Sequence, residues 1–181
     1  MSRPRVSAFM AISLDGFIAR SDGGLDWLDI PPPTPDEDYG FAAFFASVDG
    51  LAMGRHSFET VLGFDAWPYG DTPVEVLTHR PLAIPGQLAA TVSTSADTPA
   101  ELVARLGVAG RRHLYVDGGR TVQGFLAAGL LDELTLTRIP VILGAGIPLF
   151  GPLPASIVLH HDATRVFANG LVQSRYRPIR A

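Results

Sequence analysis

The sequence predicts an α/β protein: a three-layer fold with a mostly parallel central sheet, helices on both faces of the sheet and an antiparallel hairpin at the carboxyl end. Two observations predict this class. Short apolar runs alternate along the chain with segments of helical hydrophobic spacing, which is the pattern of repeated strand–helix–strand units. Near the end of the chain, Asn169-Gly170 lies between two apolar runs, and this dipeptide favours the tight turn of a hairpin.

The composition is that of a folded protein with one domain, which we expect to span residues 1–181. Of these residues, 47% are hydrophobic and 18% are charged, so the chain can bury a single core. The net charge of −4 provides no basic field for a phosphate backbone, which argues against a nucleic-acid partner. Cysteine is absent, which excludes disulfides and makes the cytoplasm the expected compartment. No apolar run reaches the roughly 18 to 20 residues of a membrane span, so no membrane partner is expected.

The first third of the chain predicts a strand, a long loop and a helix. Val6 to Ile12 is a short apolar run bounded by turn formers, as in a strand buried on both faces. The segment from Ser13 to Glu37 contains many glycines and prolines and is long for a passive connection, so we expect a loop that covers an active site. The segment from Asp36 to Ser47 begins with acidic residues and has phenylalanines at helical spacing, which predicts a helix packed on the sheet.

The other elements are predicted from similar signals. Thr98-Pro99-Ala100-Glu101 combines an N-cap hydroxyl, a proline at the first helical position and a glutamate placed for a capping box, so we expect a helix over residues 99–106. Two further helices are predicted, one from Gly54 to near Gly63 and one over residues 121–128 that stops at Gly129. The other predicted strands cover residues 50–53, 74–78, 113–117, 133–139, 157–161 and 166–176, and the last of them includes Asn169-Gly170.

Three segments that follow predicted strands are candidate phosphate-binding sites. Glycines admit the close approach of a pyrophosphate, helix starts favour anions, and arginine suits a phosphate monoester such as the 2′-phosphate of NADP. Each segment alone also fits an ordinary polar turn. Because the carboxyl ends of parallel strands share one edge, together they predict a phosphorylated ligand beyond that edge. We name them the Arg55 loop (Met53-Gly54-Arg55-His56-Ser57), the Thr78 loop (Thr78-His79-Arg80) and the Gly118 loop (Asp117-Gly118-Gly119-Arg120-Thr121).

Several other motifs are assigned no ligand. Gly144-Ala145-Gly146 is followed by Pro148 rather than by a helix and a third glycine, so a structural turn is predicted. His160 and His161 are adjacent on a predicted strand and would face opposite sides, and we expect no metal site. The chain contains neither a Gly-x-Ser-x-Gly elbow nor a P-loop lysine motif, which removes the common hydrolase and nucleotide-hydrolase interpretations.

Two carboxylates are candidates for a catalytic group, because hydride transfer to an imine-like carbon needs a proton source or a stabilising charge. Asp38 lies at the start of the predicted aromatic helix, and its alternative role is to cap that helix. Asp15 follows the first predicted strand, and its alternative role is to form an Asp-Gly turn.

Four segments resemble, in order, motifs of the dihydrofolate reductase superfamily, and more closely of the reductase domain of the bifunctional riboflavin-biosynthesis deaminase-reductase, the RibD C-terminal domain. The resemblance covers nearly the whole chain and implies a dihydrofolate reductase-like fold. The proline-rich segment from Pro31 to Pro35 matches neither enzyme closely, and the sequence has no deaminase zinc motif. The four segments are Ser13 to Ala19, Met53 to Glu59, Val116 to Gly119, and Asp132-Glu133-Leu134 through Pro140 to Gly144-Ala145-Gly146.

The resemblance implies NADPH as the cofactor. It implies that the nicotinamide contacts Ala11 and Ile18, and that the phosphates contact Gly54, Arg55, His56 and Ser57. The adenosine end would contact Leu77, Thr78 and His79, and the pyrophosphate would contact Gly118, Gly119, Arg120 and Thr121. By the same comparison, Asp38 stands where folate reductases carry their substrate carboxylate. Thr137 would support that carboxylate from a strand, and Trp27 would lie in the flexible loop beside the substrate.

Three alternative functions are considered. The first is an NADPH-dependent reduction that resembles the reaction of 5-amino-6-(5-phosphoribosylamino)uracil reductase in riboflavin biosynthesis. The second is reduction of dihydrofolate or another pterin, with Asp38 essential. The third is a nucleotide-binding sensor or resistance protein without catalysis, because binding and turnover share the same glycine-rich loops. The riboflavin-type relatives pair, and the apolar segment from Leu134 to Leu149 exceeds what one small core needs, so a homodimer is expected.

Overall fold

An eight-stranded sheet forms the centre of the structure, a computed structural model that describes residues 3–179. The strands are β1 (Arg5–Ile12), β2 (Phe17–Ala19), β3 (Gly50–Gly54), β4 (Val74–Leu77), β5 (Val92–Ser95), β6 (His113–Asp117), β7 (Glu133–Arg138), β8 (Ile147–Pro148), β9 (Leu159–Val166) and β10 (Val172–Pro178). The α-helices are α1 (Phe41–Phe45), α2 (Arg55–Leu62), α3 (Pro99–Val108) and α4 (Gly119–Ala127). Short 3-10 helices cover Asp26–Asp29 and Gly86–Leu88.

The order of strands in the central sheet is β5-β4-β3-β6-β1-β7-β10-β9. All neighbouring pairs from β5 to β7 are parallel. β10 runs antiparallel to both β7 and β9, and β2 pairs with β8 in a small separate antiparallel sheet. The predicted α/β fold with a mostly parallel sheet and an antiparallel hairpin at the carboxyl end is therefore confirmed.

The helices cover both faces of the central sheet. On one face, Leu102 of α3 and Phe125 of α4 are buried in a core that includes Val6 of β1. On the other face, Phe58 of α2 is buried in a second core, against which Phe41 of α1 packs. Because parallel strands must be joined by crossovers, this arrangement brings the starts of α2 and α4 to the carboxyl edge of the sheet. No helix within residues 3–179 is long and apolar enough to cross a membrane.

The local helix signals are confirmed. The Thr98 hydroxyl accepts the N–H of Glu101, and the Glu101 carboxylate accepts the N–H of Thr98 at 2.9 Å, which completes the capping box of α3. Gly129 follows α4 with φ of +65°, a conformation that glycine adopts without the steric cost of a side chain.

The helix predicted from Asp36 to Ser47 is wrong over most of its length, because α1 covers only Phe41–Phe45. Asp36 and Tyr39 have φ values of +60° and +57°, which a right-handed helix cannot contain. The Asp38 carboxylate accepts the N–H groups of Gly40 and Ala42 at 2.9 and 2.8 Å, and the helix starts only after Gly40. A helix of five residues covers less of the sheet than the sequence suggested.

The strand predicted over residues 166–176 is also wrong, because the turn divides it. Asn169-Gly170 lies between β9 and β10, where Gly170 has φ of +85° and the N–H of Phe167 donates to the oxygen of Leu171 at 2.9 Å. Three short strands were not predicted: β2 and β8 lie in segments interpreted as loop or turn, and β5 has a single buried residue, Val92. A strand with so little buried surface gives a weak apolar signal.

Candidate active site

The three predicted phosphate-binding loops lie side by side. β4, β3 and β6 are adjacent and parallel, and their last residues are in register: Gly54 pairs with Leu77, and Met53 pairs with Asp117. The Arg55, Thr78 and Gly118 loops therefore leave the sheet at the same edge. We call the space that they border the strand-end crevice.

Two glycines bring the Gly118 loop against its neighbours. Gly118 has φ of +88°, and a side chain there would overlap the hydroxyl oxygen of Ser57 in the first turn of α2. A methyl group at Gly119 would lie 2.9 Å from Cδ1 of Ile18 in β2. Because glycine has no side chain, the β6–α4 turn can pack between α2 and the small sheet. Ile18, Ser57 and the Gly118 loop thus border the same crevice.

The starts of α2 and α4 supply N–H groups to this crevice. Neither helix has a side chain that caps its first turn, and the residues before them are glycines, Gly54 and Gly118. Thr121 is buried, and its hydroxyl has no hydrogen-bond partner within residues 3–179. Helix N-termini favour anions, and a hydroxyl without a hydrogen-bond partner is a ready donor. This donor set fits a pyrophosphate group, which is the part of NADPH that the sequence assigns to the Gly118 loop.

Arg55 links the first two loops. Its Nε donates to Oε1 of Glu59 at 2.7 Å, and its Nη1 donates to the oxygen of Pro81 at 3.1 Å. These bonds fix the guanidinium between α2 and the chain that follows β4. In the Thr78 loop, the Thr78 hydroxyl accepts the N–H of Arg80 at 3.2 Å, which shapes a local turn. His56, His79 and Arg80 are exposed beside it, and Arg120 is exposed at the start of α4.

β1 contributes to the same edge of the sheet. Ala11 is partly exposed near the end of β1 and pairs with Thr137 of β7. Thr137 is buried, and its hydroxyl accepts Nε2 of Gln173 at 2.9 Å, while the same nitrogen donates to the oxygen of Tyr39. Thr137 therefore helps to hold the chain before α1 against the sheet through Gln173.

The two carboxylates predicted as catalytic groups are both bonded to backbone N–H groups. Asp38 caps α1, and these backbone donors, mainly that of Ala42, lower the pKa of its carboxyl. Asp15 accepts the hydroxyl of Ser13 at 2.6 Å and the N–H of Gly144 at 2.8 Å, and the Ser13 bond lowers the pKa of the Asp15 carboxyl most. Both side chains are exposed anions with structural partners, and Asp15 holds the Gly144-Ala145-Gly146 turn to the β1–β2 turn.

Trp27 is fully buried. It packs with Ile139, Phe167 and Leu171, and its indole N–H has no hydrogen-bond partner within residues 3–179. The structure therefore places Trp27 in a small core behind the β1 end and not on the surface of the crevice.

Asp117 is a candidate functional group that the sequence did not identify. It ends β6 at the base of the Gly118 loop, and Tyr69 and Tyr115 lie near its carboxyl, while the Tyr115 hydroxyl donates to the oxygen of Phe9 at 3.2 Å. Burial raises the pKa of the Asp117 carboxyl, although the N–H of Gly118 and the two tyrosines oppose that shift. Burial also raises the pKa of both tyrosines, so their hydroxyls stay protonated. A carboxyl with a raised pKa at a strand end is a candidate proton donor.

The only sequence signal for this role is a carboxylate that ends an apolar strand directly before two glycines. Its surroundings include Tyr69, which lies in a loop far away in the sequence, so the pattern around Asp117 could not show the shift of its pKa. Within residues 3–179, no group of three or more histidine, aspartate or glutamate side chains is arranged to hold a metal ion.

The sequence profile of the RibD C-terminal domain matches residues 4–173. The chain belongs to the RibD C-terminal domain family. Among relatives, the uncharacterized protein YwjB of Bacillus subtilis is 33% identical over 170 residues, which cover 93% of this chain and 94% of YwjB. The family is reductase-like, and a second relative, YyaP of Bacillus subtilis, is also an uncharacterized protein, 30% identical over 191 residues, which cover 97% of this chain and 96% of YyaP.

Solved structures agree with this membership. A crystal structure of a provisionally assigned riboflavin biosynthesis protein from Shewanella sp. PV-4 is 40% identical, with a TM-score of 0.92, and the match covers 97% of this chain and 99% of that one. The dihydrofolate reductase of Enterococcus faecalis, solved with NADP(H), has a TM-score of 0.65 at 18% identity and covers 98% and 99%. The second similarity shows that this RibD C-terminal domain has the dihydrofolate reductase-like fold.

Proposed function

We propose that the protein is an NADPH-dependent reductase that acts on a small heterocyclic substrate. The observation that carries the proposal is the convergence of the Arg55, Thr78 and Gly118 loops on one sheet edge, where two uncapped helices begin and the pKa of the Asp117 carboxyl is raised. Family membership supports the reductase class. When bound, NADPH supplies the hydride, and the chain supplies binding, orientation and a proton.

The proposed cofactor contacts follow the geometry of the crevice. The residues at the starts of α2 and α4 would donate to the phosphates, and Leu77, Thr78 and His79, with the exposed Arg80 beside them, would surround the adenosine end. Ile18, which packs against Gly119, and Ala11 near the end of β1 would contact the nicotinamide. The phosphate contacts comprise Gly54, Arg55, His56, Ser57, Gly118, Gly119, Arg120 and Thr121.

Asp117 is the proposed proton donor. Its O–H gives the proton to the substrate nitrogen next to the carbon that receives the hydride, so the substrate gains two hydrogen atoms. The Tyr69 hydroxyl can then donate to the carboxylate that forms, and a solvent proton restores the acid. Asp15 positions the small sheet next to Ile18, and Asp38 with Thr137 shapes the chain around α1. A ribosylaminopyrimidine is the first substrate class to test, with pterins as the alternative.

The coenzyme is tested by fluorescence titration with NADPH and NADH. The wild-type protein should bind NADPH more tightly, and Arg80→Gln should reduce that preference by about tenfold because a charged contact to the 2′-phosphate is lost. Arg112→Gln is the matched control, since Arg112 is an exposed arginine beside β6 at the opposite edge of the sheet. Binding of neither coenzyme would overturn the proposal.

The reaction is tested by screening pyrimidine and pterin acceptors for loss of NADPH absorbance. Oxidation that depends on a pyrimidine acceptor supports the riboflavin-type reduction, and oxidation by dihydrofolate supports the pterin alternative. Coenzyme binding without turnover on any acceptor would instead support a nucleotide-binding sensor or resistance protein. Light scattering at several protein concentrations tests the proposed homodimer.

A further inference from the structure

A cavity of about 440 Å³ lies on the face of the sheet beside α1, away from the Arg55, Thr78 and Gly118 loops. It exists because α1 has only five residues and covers β1 and β6 through Phe41 and Phe44, which leaves this face less covered toward β10 and β9. Its size is within the range of pockets that bind small molecules. No residue of this cavity belongs to the predicted cofactor contacts.

One arginine in this cavity has no hydrogen-bonding partner. The two carboxylates near Arg175 are already engaged: Glu133 accepts Arg5 at 2.7 Å, and Asp162 accepts Arg177 at 2.8 Å. Nε of Arg175 lies 3.8 Å from Glu133 and 3.9 Å from Asp162, and Arg175 makes no hydrogen bond within residues 3–179. Arg5, Arg175 and Arg177 thus share the carboxylates of Glu133 and Asp162. One positive charge is left over, and the guanidinium N–H groups of Arg175 make no hydrogen bond within residues 3–179.

The other charged groups of the cavity are paired or neutral. Arg165 donates to Glu37 at 2.8 Å, and its guanidinium stacks on the ring of Phe167. His113 lies between the oxygen of Ser47 and the hydroxyl of Ser7, and burial lowers the pKa of its imidazole, so it stays neutral at neutral pH. The unbalanced charge of the cavity is therefore the single charge of Arg175.

The groups next to Arg175 are neutral, and they suit an anionic group that is attached to a flat ring. Thr135 pairs with Arg175 on one side and with Phe9 on the other, so the three residues form one row across β10, β7 and β1. The Thr135 hydroxyl makes no hydrogen bond within the described chain. The rings of Phe9 and Phe44 lie 5.0 Å apart at the end of this row and line the cavity.

We propose that this cavity binds a small organic monoanion, a carboxylate carried on a flat ring, at a site separate from the strand-end crevice. Arg175 would bind the carboxylate with two parallel N–H donors, and Thr135 would add a third hydrogen bond. The ring would pack on Phe9 and Phe44. A single uncompensated charge matches a monoanion, whereas a phosphate dianion would require a second cation.

Benzoate is the probe, and benzamide is its neutral control of the same shape. Isothermal titration should show that benzoate binds wild-type protein and that benzamide binds at least about tenfold more weakly, because only benzoate carries the charge. Arg175→Gln should weaken benzoate binding by about tenfold or more, whereas Arg112→Gln should leave it unchanged. Thr135→Val should weaken it by a smaller factor, with a thermal melt to show that the variant folds.

Each result decides for or against the proposal. Equal binding by wild type and Arg175→Gln, or no binding of benzoate, would overturn it. The titration is repeated with NADPH present: undiminished binding supports a separate site, and competition would overturn that separation. Since benzoate binding needs no coenzyme, the experiment distinguishes failure of this site from failure of the proposed reductase function.

Discussion

Gly118 lies against Ser57, so the turn after β6 and the first turn of α2 form one continuous surface at the sheet edge. The contact is possible because Gly118 combines a φ of +88° with the absence of a side chain. Any side chain at this position would separate two of the three loops that border the strand-end crevice.

Gly118→Ala should therefore abolish or greatly weaken NADPH binding. Gly129→Ala is a matched control, because Gly129 also has a positive φ but faces open space at the end of α4. Both variants should lose about 1 kcal/mol or more of stability from backbone strain, and only Gly118→Ala should lose coenzyme affinity. Fluorescence titration and thermal melts check this, and equal affinity in the two variants would contradict it.

Asp117→Asn should lower the turnover number strongly and remove a pH dependence. In the wild type, a proton donor works only while protonated, so the rate should fall as pH rises through the raised pKa of Asp117. The asparagine variant should show a low rate without this decline. Rates of NADPH oxidation measured from acidic to alkaline pH, with the best acceptor found, check the prediction; an unchanged profile would exclude Asp117 as the donor.

The same variant should be more stable than wild type at neutral pH. Because the pKa of Asp117 is raised in the folded state, the folded chain binds more protons than the unfolded chain, and stability falls as pH rises from the unfolded pKa to the folded one. Asparagine removes this loss. Asp97→Asn is the control, and it should lower the stability at neutral pH, because the hydrogen bond with Arg105 lowers the pKa of the Asp97 carboxyl. Urea unfolding at acidic and neutral pH compares the variants.

Asp38→Ala should destabilise the protein more than Asp38→Asn, because the single asparagine oxygen can still accept one of the two N–H groups that the carboxylate binds at the start of α1. Turnover on dihydrofolate separates the two roles of this residue. If Asp38 only caps the helix, Asp38→Asn keeps the wild-type rate. A large loss of rate with normal stability would show that Asp38 acts on the substrate, as the pterin alternative requires.

Trp27→Ala should reduce the free energy of unfolding by about 3 to 5 kcal/mol, because it leaves a cavity in a fully buried cluster. Trp27→Phe should cost less, since the indole N–H that it removes has no partner. For Trp27→Phe, KM for the accepted substrate should stay close to the wild-type value. A large increase in KM with an unchanged melting temperature would instead place Trp27 at the substrate.

The parts of the fold that depend on short segments were predictable from the sequence. The capping box at Thr98 and the apolar strands β1 and β6 are encoded within about ten residues, and each was predicted close to its observed limits. The length of α1 was not predictable in this way, because it depends on Asp36 and Tyr39, whose backbone conformations the helical spacing of the phenylalanines conceals.

The candidate active site was likewise predictable only in part. The adjacency of the three loops follows from the order of parallel strands, so the sequence could suggest it. The position of Asp117 beside Tyr69, the hydrogen bond of Asp15 with Gly144 and the burial of Trp27 all depend on contacts between distant segments. Such contacts have no local pattern, and only the assembled chain shows them.

The small sheet of β2 and β8 joins segments from opposite ends of the chain, and Asp15 fastens one to the other through the N–H groups of Leu143 and Gly144. Closing so long a loop costs entropy before any contact is gained, and such pairings form slowly. We therefore expect the wall of the crevice around Ile18 to assemble late during refolding, after the central strands have paired. Pulse-labelling hydrogen exchange should detect protection in β1 and β6 before protection in β2.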